Sequence, residues 1–266
     1  MNELLILAIE ASIVAGKEIL KIYKSDFEIE MKDDDSPLTT ADKRSNQTIL
    51  QYLNKTEIPV LSEEGRNIPY NKRKNWERFW LIDPLDGTKE FIKKNDEFTV
   101  NIALIQKQEP VMGVIYVPVL DVLYFAAENT GSYKLEKAAI LIQEKPDLQK
   151  LLMKSTKLPV EHTGKKFTIV ASRSHMSTET EELIQKIKKE HGAIELISRG
   201  SSLKICMVAE GRADMYPRFA PTSEWDTAAG HAIALYSGAT ITKADGKEVL
   251  KYNKQDLLNP WFIVKR

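Results

Sequence analysis

Residues 80–91, Trp80-Leu81-Ile82-Asp83-Pro84-Leu85-Asp86-Gly87-Thr88-Lys89-Glu90-Phe91, set an apolar run against two carboxylates three positions apart. Phe79 to Ile82 are strand-forming residues entering a core. A plain turn after Ile82 accounts for Pro, Asp and Gly. It does not account for the pairing of acids. Two carboxylates about 4 Å apart repel by roughly 4 kcal/mol at an effective dielectric near 20, so beside an apolar strand they call for protons or a cation. Pro84 fixes φ and has no N–H, so an Asp-Pro-Leu-Asp turn directs Asp83 and Asp86 to one side. With no His or Cys nearby the donors are hard oxygens, suited to Mg²⁺, Mn²⁺ or Ca²⁺ rather than zinc. Gly87-Thr88 then opens a short helix over KEFIKK, whose first N–H groups suit an anion. The chain has no GxxxxGK[ST] sequence, so the pattern is a phosphate on a cation and not a nucleotide P-loop.

Three other segments bring acids to the ends of elements. Ile58 to Leu61 is a short strand that runs into Ser62-Glu63-Glu64-Gly65; PLTTAD ends on Asp42; WDTAAG carries Asp226. Each has a plainer reading. Glu63 and Glu64 can be solvated charge, and Asp42 and Asp226 can cap the helices that follow them. Helical spacing predicts helices over residues 42–53, 202–210 and 226–236, besides an amphipathic helix at the start. Phe98, Val100, Ile102 and Leu104 alternate with Thr99, Asn101 and Ala103, which predicts a half-buried strand. Turns at Glu109-Pro110 and at Pro118 to Asp121 make an antiparallel meander. Further strands are expected over 167–171, 193–197, 213–219 and 239–242. The class is therefore α/β (α+β) with layered sheets. Residues 136–166 are basic and polar without a motif, which suggests a boundary near Gly131. The expected division is an N-terminal α+β lobe, 1–131, with the antiparallel sheet and most of the acids, and a C-terminal α/β lobe, 132–266.

Bulk properties exclude several classes. Lys plus Arg and Asp plus Glu number 38 each, so no net field favours nucleic acid or an anionic membrane. Cys206 is the only cysteine, which removes intramolecular disulfides and CxxC zinc sites. Glu3, Glu10 and Lys17 interrupt the apolar N-terminal run, so no signal peptide or spanning segment is expected. A cytoplasmic protein fits these features. His162, His191 and His231 read as ordinary loop or helix positions, and Cys206 as a small core residue.

PLTTADK, LSEEG, IDPLDGTKEF and WDTAAGHAI, in this order along the chain, resemble the magnesium-dependent, lithium-sensitive phosphatases of the inositol monophosphatase superfamily. Within it, Ser-Glu-Glu, DPLDGTKEFIKKNDEFTVNIALI, ASRSH, RGSSLK and MYPRF are similar to the bisphosphate nucleotidases of the CysQ type. That resemblance implies a layered α/β/α/β/α sandwich. It implies a hydrolase that removes the 3′-phosphate from adenosine 3′,5′-bisphosphate, the by-product of sulfate activation, by metal-activated water, with the 5′-phosphosulfate precursor as a further substrate. It also implies Mg²⁺ as cofactor, two or three ions, with Mn²⁺ as a substitute. Carried over by position, Glu63, Asp83, Asp86, Asp226 and the Leu85 carbonyl would hold metal; Thr88 and Asp42 would orient the attacking water, with Glu64 beside them. Gly87 and Thr88 would seat the scissile phosphate, and Ser201, Lys204, Arg218 and His175 would contact the rest of the substrate. Lys204 as a plain helix lysine, His175 as a loop residue and Arg218 as a partner of Glu224 are the plainer readings. An inositol monophosphatase or fructose-bisphosphatase of the same fold, and a non-catalytic cation-binding protein, are the competing functions. Monomer or homodimer, and peripheral contact with the inner face of a membrane, are left open.

Overall fold

The computed structural model describes residues 1–25, 29–31, 37–65, 68–145, 147–160, 166–172 and 177–266. Its first half comprises helix α1 (Asn2–Tyr23), strands β1 (Ile29–Met31) and β2 (Pro37–Thr39), helix α2 (Thr40–Leu53), strand β3 (Val60–Ser62), helix α3 (Tyr70–Arg73), strand β4 (Arg78–Asp86) and helix α4 (Thr88–Ile92). Strands β5 (Thr99–Gln106), β6 (Glu109–Val117), β7 (Val122–Ala127) and β8 (Gly131–Glu136) follow, then helices α5 (Leu141–Glu144) and α6 (Leu148–Lys154) and strand β9 (Thr156–Lys157). The remainder is β10 (Phe167–Ser172), α7 (Thr178–His191), β11 (Ile194–Arg199), α8 (Leu203–Ala209), β12 (Met215–Arg218), α9 (Glu224–Tyr236), β13 (Thr240–Lys243) and β14 (Phe262–Lys265).

Strands β3 to β9 form one sheet in sequence order, antiparallel except for the parallel β3–β4 pair. A second sheet has the order β11-β10-β12-β14-β13. Side-chain alternation distributes the core of the first sheet between two faces. Trp80, Ile82, Val100, Ile102 and Leu104 pack under Leu5, Ile9 and Ile13 of α1 and Ile49 of α2. Phe79, Leu81, Ala103, Ile105 and Ile115 pack on Leu203 and Cys206 of α8 and on Trp225, Ala228 and Ile233 of α9. The other side of those two helices, Ile205, Val208 and Ala234, meets the second sheet at Val170, Tyr216, Ile241 and Val264. Ile184 and Ile187 of α7 cover its far face at Ile169 and Met215. The result is the expected five-layer α/β/α/β/α sandwich. Gly113 of β6 allows the close approach of α9: a Cβ there would stand 2.2 Å from the Ala229 carbonyl oxygen.

Several features differ from the sequence-based expectation. Strand β5 is buried on both faces up to Ile105, because α8 and α9 cover the side that alternation assigned to solvent. The first sheet continues past residue 131, where a lobe boundary was suggested; Gly131 pairs with Ala127, and Lys157 of β9 pairs with Tyr133. Helix α7 and strand β14 were not anticipated at all. Among the described residues no helix is long and apolar enough to cross a membrane.

Candidate active site

Asp83 and Asp86 do not sit in a turn. Strand β4 runs on to Asp86 through a bulge, in which Asp83 pairs with Asn101 and Asp86 with Thr99. Three steps on β4 thus span two on β5. In a regular strand, side chains an odd number of positions apart point to opposite faces; the extra residue re-aims one of them. Pro84 is tolerated there because a bulge does not require its missing N–H.

The bulge brings the two acids together with Asp226, the third residue of α9, so that one carboxylate oxygen from each lies within 4.8 Å of the others. Burial, and then the charges of Glu63, Asp86 and Asp226, hold the Asp83 carboxyl well above the usual carboxylate range. Burial, with Asp86 and Glu63 next, pushes Asp226 up to about 8, against the downward pull of the Ser223 N–H, which donates to its Oδ2 at 2.7 Å. Like charges buried together resist ionisation unless a cation joins them. The donor set is all oxygen, with no His or Cys in the cluster, so it fits a divalent, oxygen-seeking cation such as Mg²⁺. Glu63 lines the same cleft and hydrogen-bonds with Asp83. The Leu85 carbonyl faces the Thr88 hydroxyl at 3.4 Å.

Asp42 and Thr88 meet beside this cluster. Asp42 closes a capping box at the start of α2, accepting the Thr39 N–H and hydroxyl on Oδ2 at 2.7 and 2.6 Å. Its other oxygen, Oδ1, accepts the Thr88 hydroxyl at 3.1 Å. Burial raises the Asp42 carboxyl to about 6 in spite of the two Thr39 bonds, with Glu64 and Glu63 adding to the rise. One Asp42 side chain thus both caps α2 and accepts the Thr88 hydroxyl. Asp226 likewise completes a capping box with Ser223 while lying in the acid cluster. Gly87, at φ 92°, precedes Thr88 at the entry to α4 and turns the chain into that helix.

A cleft of about 350 Å³ extends from these acids; Gly87, Thr88, Ser201, Lys204, Tyr216 and Arg218 line it together with Glu63, Asp86 and Asp226. Lys204 is buried, and its ammonium donates to the carbonyls of Ser201 at 2.6 Å and Arg199 at 3.3 Å, above the Tyr216 ring. Burial lowers it to about 8. Arg218 donates to the Pro221 carbonyl at 3.0 Å, and its buried Nε has no partner among the described residues. It does not pair with Glu224, whose carboxylate instead takes the N–H groups of Asn253 and Lys254 and the Lys254 ammonium. His175 and His162 lie outside the described residues. His231 is buried against the Tyr252 hydroxyl at 2.9 Å, away from the cleft, and Cys206 is a buried free thiol.

Sequence reasoning missed the groups that hold Asp86. Its Oδ2 accepts the Ser202 N–H at 2.7 Å, the Ser202 hydroxyl at 2.6 Å and the Asn101 side chain at 3.2 Å. RGSSLK was singled out for Ser201 and Lys204, and nothing local in it distinguishes Ser202 from its neighbour.

A profile of the inositol monophosphatase family matches residues 1–265. The chain is 44% identical over 254 residues to the 3′(2′),5′-bisphosphate nucleotidase CysQ of Salmonella typhimurium, covering 94% of each chain. It is 41% identical, with the same coverage, to the protein of that name from Escherichia coli K12. The crystal structure of CysQ from Bacteroides thetaiotaomicron superposes with a TM-score of 0.93 at 54% identity, covering 100% of this chain and 97% of that one. The chain therefore belongs to the inositol monophosphatase family.

Proposed function

We propose that the protein is a Mg²⁺-dependent phosphomonoesterase that hydrolyses the 3′-phosphate of adenosine 3′,5′-bisphosphate to AMP and phosphate. The observation that carries this reading is the triad of buried Asp83 with half-buried Asp86 and Asp226 beside the Thr88–Asp42 pair. A site that only stored a cation would have no use for that hydroxyl–carboxylate pair. Glu63, Asp83, Asp86, Asp226 and the Leu85 carbonyl would hold two or three ions. Bound divalent cations would supply charge neutralisation of the phosphoryl oxygens and acidification of the attacking water.

The residues of the chain do the rest. Thr88 Oγ1, its proton committed to Asp42, presents lone pairs that fix the orientation of the water. Asp42, at about 6, accepts a proton near neutral pH through that hydroxyl. The water oxygen bonds to phosphorus as the bond to the ribose 3′ oxygen breaks; the proton lost by the water passes through Thr88 to Asp42, the leaving 3′ oxygen takes a proton from solvent, and Asp42 then returns its proton to solvent. Glu64 acts on Asp42 through its charge. The amides at the entry to α4 seat the phosphoryl group. The second phosphate is met by Lys204, which stays largely charged at neutral pH, and by the guanidinium of Arg218, which lines the cleft. The two curated relatives from Salmonella typhimurium and Escherichia coli K12, both named 3′(2′),5′-bisphosphate nucleotidase CysQ and matched over 94% of the chain, support this choice of substrate. The 5′-phosphosulfate analogue presents the same two anionic ends and is a further substrate in this reading.

The test is phosphate release from adenosine 3′,5′-bisphosphate, inositol 1-phosphate and fructose 1,6-bisphosphate at equal Mg²⁺. A kcat/KM for the nucleotide at least about a hundredfold above the others is expected. Equal or reversed preference would assign the site to the inositol or sugar substrate instead.

A further inference from the structure

Glu97 is not among the cleft-lining residues, yet the loop that reaches the acid cluster rests on it. Its carboxylate accepts the Gly200 N–H at 2.7 Å, across 103 positions of chain. Gly200 lies directly against it: a Cβ there would stand 2.9 Å from the Glu97 carbonyl oxygen and 3.0 Å from the Glu97 Cβ. The next residue, Ser201, has φ 42°, a left-handed conformation that an L-residue keeps only when its surroundings hold it. Lys204 supplies one such hold through the Ser201 carbonyl. Ser202 then places its N–H and hydroxyl on Asp86 Oδ2, and its Oγ lies 3.0 Å from the Asp226 carbonyl. Asn101 donates to the same Oγ at 2.9 Å. Glu97 is itself fixed by its N–H, which donates to Asn95 Oδ1 at 3.1 Å.

A run of three residues, Gly200 to Ser202, thus connects the Glu97 carboxylate with the Asp86 carboxylate. The plainer role for Glu97 is an ion pair with Arg199. That contact is 3.8 Å long to a side chain that is 42% exposed, and such pairs contribute little. The bond to the Gly200 amide is short and made by a mostly buried charge, which makes it the stronger of the two. We propose that Glu97 is a positioning residue for the reaction: by pinning the Gly200 amide it sets the height of the 200–202 loop, and through Ser202 the aim of Asp86 toward a bound cation. The proposal rests on Asp86 being a cation ligand.

The experiment is calorimetric titration of Mg²⁺ into the protein without substrate, for wild type, Glu97→Ala, Glu97→Gln and Gly200→Ala. Glu97→Ala and Gly200→Ala should weaken Mg²⁺ binding about ten- to hundredfold, the range seen when a group orienting a metal ligand is removed. Glu97→Gln keeps an oxygen in place to accept the Gly200 N–H and should bind Mg²⁺ like wild type. Wild-type affinity in Glu97→Ala, or equal loss in Glu97→Gln and Glu97→Ala, overturns the inference while leaving the cation site intact. Should Glu97→Ala not fold, Glu97→Gln and Gly200→Ala decide it by the same contrast. Failure of the wild-type protein to bind Mg²⁺ overturns the underlying reading as well.

Discussion

The Thr88 hydroxyl donates to Asp42 Oδ1 at 3.1 Å while the other oxygen of that carboxylate caps α2. One side chain thereby ties the start of a core helix to the residue at the entry of the cleft. The cap fixes the carboxylate, and the fixed carboxylate sets the direction of the Thr88 proton.

Thr88→Val removes the hydroxyl without touching the cap. It should lower kcat for adenosine 3′,5′-bisphosphate by about 10²–10⁴-fold, with little change in KM or Tm. Asp42→Asn should lose kcat similarly but also loosen α2, which a lower Tm would report. Steady-state kinetics with thermal melts check both; a Thr88→Val enzyme of near-native kcat would remove the pair from the mechanism.

Arg218 lines the cleft beside Lys204. Losing charged hydrogen bonds worth roughly 1.5–3 kcal/mol corresponds to about ten- to hundredfold. Arg218→Ala should therefore raise KM for the bisphosphate by that factor and leave adenosine 3′-monophosphate almost unaffected. Equal effects on the two substrates would place Arg218 away from the second phosphate.

His231 provides a pH dependence independent of the acid cluster. Burial lowers its pKa to about 4, with Glu109 opposing and Lys251 reinforcing the shift. The unfolded chain, with His near 6.5, therefore binds more protons than the folded one between those values. Stability from this group is complete above about pH 6.5 and falls as the pH drops toward 4, by roughly 3 kcal/mol in total. Denaturant midpoints measured from pH 7 to pH 4 should fall less steeply in His231→Gln than in wild type. Parallel curves would mean that the fold leaves the His231 pKa unshifted.

How much of this was legible in the sequence depended on the range of the interaction. The Asp83-Pro84-Leu85-Asp86 signal was readable because the acids, the Pro and the following Gly87 act on one another locally. Even there, a turn was expected where a bulge occurs, since the extra residue is defined only against Asn101 and Thr99 of β5. Ser202 could not be found, because its role begins when a loop 116 positions away comes alongside Asp86. Strand β5 was read as half-buried because alternation reports what one face wants; Asn101 on the other face is buried by α8 and α9 and spent on Asp86 and Ser202. Helix α7 did carry a signal, with Ser177 capping the Thr180 N–H and Gly192 closing the end. Its buried face is narrow, only Thr180, Ile184 and Ile187, and a thin stripe in a charged segment is easily passed over.

The central claim is that Asp83, Asp86 and Asp226 hold the divalent cation on which phosphate release depends. Its most direct measurement is phosphate release from adenosine 3′,5′-bisphosphate by wild type and Asp83→Asn, with Mg²⁺ and with chelator. Wild type should turn over with Mg²⁺ and stop with chelator. Asp83→Asn, which exchanges a buried acid for a neutral isostere, should melt no lower than wild type and release no phosphate in either condition. Near-native turnover by folded Asp83→Asn, or wild-type turnover that survives chelation, would contradict the account.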